Sequence, residues 1–402
     1  SRVGLLLGAA AAGGGGSGVP VGFPSTEGRG LPDVVLLLLE KEGMLLPYAP
    51  AGLDKIDPKM RDAAESPQWV GMDVWASALC FNTVEAGNRN LPTPTAWADL
   101  IKPEYFGHVS ISSPSRSGTT HLTVETILQG EGWEKGWAQM LQIAGNCAAV
   151  TDRSFAVPDG VNNGQYGVGI VIDFFGLAGK YSGFPVEFHY PNVTAVVPAN
   201  IALVAGAKNH DEARKFISFT LSREGQELLF DPKISRLPIL PNANFGAKVP
   251  AGYPDAHEIA KRAKVQFDSH LSSDRYQVVV SLFDQMVTFR LKDLQAATKA
   301  IHDAERKLKG KPNAQAADLL KQARSFAYSP LVSDSMIKDA AFLELFRKNK
   351  KDVAVAKQLT GLEDLWSPNW RPKEVLEKLI PEPPSLVLCH NPDAADRPIW
   401  GR

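Results

Sequence analysis

The chain has 402 residues, 44% of them hydrophobic and 22% charged, which is enough apolar material for two or three packed domains and too much for general disorder. Its 43 Lys+Arg against 44 Asp+Glu leave a formal charge of −1. That excludes the overall basic excess with which nucleic-acid binders neutralise phosphates, so no nucleic-acid partner is expected and a small solute fits better.

The first 32 residues are rich in Ala and Gly and carry neither helical nor strand period. Arg2 before the short apolar run that starts at Gly4 has the character of a signal-peptide core, although no clear cleavage site follows. "GGGGSG" at Gly13 to Gly18 satisfies GxGxxG formally, but no strand precedes it and no helix follows, so no dinucleotide site is expected. No segment reaches the roughly 20 apolar residues of a membrane span.

From residue 33 to about 245, short apolar runs alternate with helical ones, the mark of an α/β fold. Strands are expected at "DVVLLL", "WVGMDVWASALCFN", "HVSIS", "YGVGIVIDF", "VEFHY" and "ANIALVAG". Helices are expected after Thr95, Thr119 and Asp211, the last with Asp211 as cap and one apolar face running to Leu228 and Leu229.

After Pro250 glycine nearly vanishes and charge rises. Apolar residues from Tyr276 through Val280, Phe283, Val287, Leu294, Ala297 and Ile301 to Leu308 step by three and four, which predicts one long amphipathic helix over 274–308 and further helices to about 370. Its stripe suits packing on the chain itself, a coiled coil being the other option. Residues 371–402 are Pro-rich and extended.

Two loops attract attention. In "SISSPSRSGTTHLTVETILQGEG" the hydroxyls and Gly118 fall where a helix begins, with Gly130 and Gly132 as its stop. A helix start leaves N–H groups unpaired and partly positive, so it holds a small anion well. Ser117 and Thr119 then have two readings, ordinary caps or donors to an anion. Ser154 opens a second such turn, and Asp173 ends a strand; in open α/β sheets ligands sit at the carboxyl ends of strands.

His108, His121, His189 and His210 are scattered and lack any ligand spacing on one helix face. Cys80, Cys147 and Cys389 form no CxxC pair, and one disulfide with a thiol left over stays open. Neither a GxSxG elbow nor a close Ser/His/Asp pattern is present, so an enzyme on this scaffold is the weaker reading. An interaction protein built on the helical extension is a third.

In order along the chain stand a "PY" turn at Pro47–Tyr48, "WVG" at Trp69, "PTAWADL" at Pro94, "PSRSGT" at Pro114, "YGVGI" at Tyr166 and "KNHDEARKF" at Lys208. Over residues 33–241 this series resembles the extracellular solute-binding proteins of bacterial ABC importers, in the ferric-iron and phosphonate branch. The resemblance implies an α/β, two-lobed type 2 periplasmic-binding-protein-like fold with an all-helical C-terminal extension, in a periplasmic or extracellular monomer. It also implies delivery of a solute to ABC permease membrane subunits, with no catalysis, no cofactor and no metal ligand set. The ligand-binding residues it implies are Ser113, Ser117, Gly118, Thr119, Ser154 and Asp173. The expected ligand is a small anionic solute, namely phosphate, phosphonate or an organic acid, with ferric iron as the alternative. Iron-binding relatives carry adjacent tyrosines where this chain has Phe174 and Phe175, with Tyr181 and Tyr190 further on, so the usual phenolate arrangement is not expected. The relatives' first strand, helix and strand are replaced here by the Ala/Gly-rich stretch.

Overall fold

The computed structural model describes Leu36 and residues 39–347. The expectations for residues 1–32, for the last part of the helical extension, for the Pro-rich tail and for Cys389 lie outside the described residues. The strands are β1 (Leu45–Leu46), β2 (Trp69–Asn82), β3 (Val109–Ser112), β4 (Cys147–Thr151), β5 (Val168–Ile172), β6 (Val186–His189), β7 (Val196–Val204) and β8 (Leu237–Pro238). The chain divides into two compact units, joined by five crossings. Among the described residues, one takes those up to Ala76, Ile172–Gly183 and Ala195–Ala263; the other takes Ser77–Val171, Phe184–Thr194 and those from Lys264 on.

In the first unit β2 pairs antiparallel with β7 and β8, and β1 pairs with β7. Leu36, Leu39 and Leu45 pack with Trp69 and Ala202 in a small core. Leu36 and residues 39–41 are helical, where a strand was expected. Leucines at positions 36 and 39 share one face of a helix and leucine is a strong helix former, so the apolar run alone misled.

The second unit holds the parallel part. β3 lies between β4 and β5, parallel to both, with Val109 opposite both Cys147 and Val168. The second half of β2 pairs antiparallel with β6, Leu79 facing His189 and Asn82 facing Val186. All but the first of β2's 14 residues are buried, which is why it reads as an almost unbroken apolar run.

The helices in chain order are α1 (Thr83–Arg89), α2 (Gly118–Glu131), α3 (Trp133–Gly145), α4 (Ala156–Asn162), α5 (Asp173–Tyr181), α6 (His210–Leu221), α7 (Arg223–Glu227) and α8 (Ala256–Arg262). Beyond Lys264 follow α9 (Ser269–Phe283), α10 (Leu291–Gly310), α11 (Ala314–Tyr328), α12 (Asp334–Ile337) and α13 (Ala340–Arg347). One hydrophobic core runs from Leu79 on β2 through Ile111, Ile127, Trp137 and Ile170 to Val278, Phe283, Ile301, Ala323 and Phe346. The helical extension therefore packs on its own chain and completes the core of this unit.

Two helix expectations are corrected. The helix expected over 274–308 is two: α9 ends at Phe283, a π-helical turn fills Asp284–Thr288, and Arg290, at φ −128°, precedes α10. Apolar spacing continues across the break because both helices face one core. The helix expected from Asp211 begins at His210 and stops at Leu221, where Ser222 turns extended and caps α7 by accepting the Gly225 N–H. Asp211 lies in the first turn rather than at the cap, and Leu228 is exposed.

Candidate ligand-binding site

Because β3 and β4 are parallel and Ser112 faces Thr151, the loops leaving both strands emerge at the same end of the sheet. The first is Ser113–Ser117, leading into α2; the second is Asp152–Phe155, leading into α4. Ser112 Oγ donates to the Thr151 carbonyl at 3.1 Å, and Arg116 of the first loop makes an ion pair with Asp152 of the second. The two hydroxyl-bearing loops singled out from the sequence are thus brought together.

At the start of α2 the hydrogen bonds can be counted donor by donor. Ser117 is the N-cap and accepts the Thr120 N–H at 3.2 Å, while the His121 N–H reaches the Ser117 carbonyl at 3.0 Å. The amides of Gly118 and Thr119 come before these first donors and point out of the helix end. The Ser117 and Thr119 hydroxyls lie 2.8 Å apart, so one proton is spent between them and the other is left over. Gly118 is exposed, Thr119 half-buried and Ser117 buried. The helix start therefore offers two amides and one hydroxyl proton in a field that favours negative charge. Ser117 caps the helix and adjoins unspent donors.

Ser113 has a different setting. It is 1% exposed, and its Oγ donates to Oδ1 of Asp284 at 2.9 Å and lies 2.7 Å from the Ser115 hydroxyl. Ser154 is half-buried, and its carbonyl accepts the Val157 N–H at 3.3 Å as α4 begins. Asp173 belongs to the other unit and is fully buried. Its carboxylate accepts the Ala76 N–H at 3.1 Å and the Phe174 N–H at 2.8 Å, which ties the start of α5 to β2.

Sequence reasoning missed Asp284, which lies 171 positions from its partner and has no local signal. It also missed the stripe that anchors α2. His121 Nε2 lies 3.2 Å from Ser272 Oγ, Glu125 forms an ion pair with Arg275 at 2.6 Å, and Gln129 exchanges two hydrogen bonds with the backbone of Asp268. Burial and the nearby Arg275 push His121 down to about 3, so it is a neutral, structural imidazole.

Phe174 has the Arg236 guanidinium above its ring at 4.5 Å and packs on Phe175, with centroids 4.6 Å apart. Tyr181 stacks on Tyr253, and Tyr190 meets the edge of Phe188. Among the described residues no group of three or more His, Cys, Asp or Glu side chains is arranged to hold a metal ion. Cys80 and Cys147 are buried free thiols, Cys80 pushed up to about 12 by burial. A surface depression of about 530 Å³ beside Phe81, Asn90 and Leu91 holds none of the expected site residues.

Residues 33–256 match the sequence model of the bacterial extracellular solute-binding proteins. The chain belongs to that family. Family membership makes it a binding protein rather than an enzyme, in a periplasmic or extracellular location. Among curated relatives, the phosphoglycerate transport regulatory protein PgtC of Salmonella typhimurium is 36% identical over 266 residues. That alignment covers 66% of this chain and 64% of PgtC, so the chain spans just under two thirds of its relative's length. The periplasmic binding protein AfuA of Actinobacillus pleuropneumoniae, solved with exogenous fructose-6-phosphate, superposes with a TM-score of 0.55 at 23% identity, over 62% of this chain and 78% of AfuA. The periplasmic binding protein P5PA gives 0.51 at 21% identity, over 64% and 79%. These two structures establish the two-lobed α/β fold of type 2 periplasmic binding proteins, here with a helical C-terminal region. No helix among the described residues is long and apolar enough to cross a membrane.

Proposed function

We propose that this protein captures a small phosphorylated organic acid or sugar outside the cytoplasm and delivers it to the membrane permease of an ABC importer. The observation that carries the reading is the unspent donor set at the start of α2: the Gly118 and Thr119 amides and the one Ser117/Thr119 hydroxyl proton left over from their mutual hydrogen bond. A phosphate or carboxylate matches that set in charge and in its need for several donors. Ser154 lies on the neighbouring loop that Arg116 and Asp152 hold in place. Ser113 takes the role of a shaping residue, since its hydroxyl proton goes to Asp284. The phosphoglycerate named for PgtC and the fructose-6-phosphate bound to AfuA support a phosphate ester over inorganic phosphate or a phosphonate. Ferric iron finds less support, because Phe174 and Phe175 carry no oxygen where phenolates would be needed.

Native mass spectrometry of the gently purified protein, before and after denaturation, tests this. Retention of a phosphate-ester mass that is lost on denaturation supports the proposal. An iron-sized adduct, or failure to retain phosphoglycerate and fructose-6-phosphate added at saturating concentration, contradicts it.

A further inference from the structure

The two edges of the β3–α2 loop are chemically opposite. Ser113 has one proton, and it goes to Oδ1 of Asp284 at 2.9 Å. In the 2.7 Å contact between Ser113 and Ser115 the donor is therefore Ser115. Ser113 Oγ also accepts the Ser115 N–H at 3.2 Å, so both of its lone pairs and its proton are used. The Ser115 hydroxyl, its own proton spent inward, presents lone pairs at an exposed position. Two residues further on, the start of α2 presents donors.

Asp284 reaches this place through the π-helical turn between α9 and α10. Thr288 Oγ1 donates to the same Oδ1 at 2.7 Å, and the Asp284 carbonyl accepts the Phe289 N–H at 2.9 Å, which fixes the carboxylate toward the loop. Such π-helical turns often mark functional positions in helices.

We infer that Asp284 is a specificity-determining positioning residue: through Ser113 it makes Ser115 an acceptor, so the loop selects an acidic group with a hydroxyl or ammonium donor close beside it. This rests on the proposed binding of a phosphate ester at α2 and adds the requirement for a neighbouring donor. A hydroxylated phosphate ester meets both edges; an unsubstituted one leaves Ser115 facing a desolvated methylene.

The test compares two ligands of equal charge, 3-phosphoglycerate and 3-phosphonooxypropanoate, which differ by the single hydroxyl, by calorimetric titration of the full chain. The wild type is expected to prefer the hydroxylated ligand by about fivefold to tenfold, the worth of one hydrogen bond. In Ser115→Ala the preference falls to about twofold or less. Asp284→Ala does the same or inverts the preference, because the Ser113 proton, deprived of its carboxylate acceptor, is free to go to Ser115 and turn the Ser115 proton outward. Ser115 is exposed, so its variant folds even if the Asp284 variant does not. Equal weakening of both ligands with the preference retained, or a wild-type preference near one, overturns the inference while leaving phosphate-ester binding intact. Failure of the wild type to bind either of these ligands or fructose-6-phosphate overturns that binding and the inference with it.

Discussion

Ser117 shows how one side chain serves stability and recognition together. Its oxygen accepts the Thr120 N–H, and its hydroxyl shares protons with Thr119. Replacing both by alanine removes the cap and the one spare hydroxyl proton, so ligand affinity is expected to fall by about 1–3 kcal/mol, read by titration. Unchanged affinity would leave the pair as a cap only. His121, on the same helix, makes a pH prediction. The folded state keeps it neutral down to about pH 3, whereas a histidine in the unfolded chain takes up its proton near 6.5. Between these values the unfolded state binds more protons, so the stability present above pH 6.5 is lost as pH falls toward 3. Denaturant melts across this window are expected to show a shallower pH slope for His121→Gln than for the wild type.

At the scale of elements, α2 joins the candidate site to the helical extension. His121, Glu125 and Gln129 recur every four residues along it and bond to Ser272, Arg275 and Asp268. Glu125→Ala leaves Arg275, with only 6% of its side chain exposed, without its carboxylate, and should cost about 3–5 kcal/mol in chemical denaturation. The double change Glu125→Leu with Arg275→Met should recover most of that loss, because it leaves no uncompensated charge in the interior. This stripe was invisible in the sequence because a polar row on a helix normally reads as a solvated face. β2 and the start of α2 were legible, since a long apolar run and a hydroxyl before an apolar-periodic segment act locally. β4 was not: "CAAVT" is short, and of its five residues only Cys147 is buried. The break at Asp284 was hidden because both flanking helices keep their apolar spacing against one core.

At the scale of the whole molecule, five chain crossings join the two units, and the second unit's core includes residues from Leu79 to Phe346. The extension beyond Lys264 is therefore part of that unit's interior rather than an appendage. A chain ended after Ala263 would bare the apolar faces of α2 and α3 that α9 and α10 cover, and it is expected to lose its cooperative thermal transition and to aggregate. A truncated chain that melts cooperatively would show the extension to be dispensable. This solute-binding protein is proposed to hold a phosphate ester at the start of α2, and calorimetric titration of the full chain with 3-phosphoglycerate puts that binding to the test. Saturable one-to-one binding that weakens in the Ser117→Ala, Thr119→Ala double variant is the predicted result. Absence of heat and of any thermal shift at millimolar ligand, or binding that the double variant leaves untouched, would contradict it.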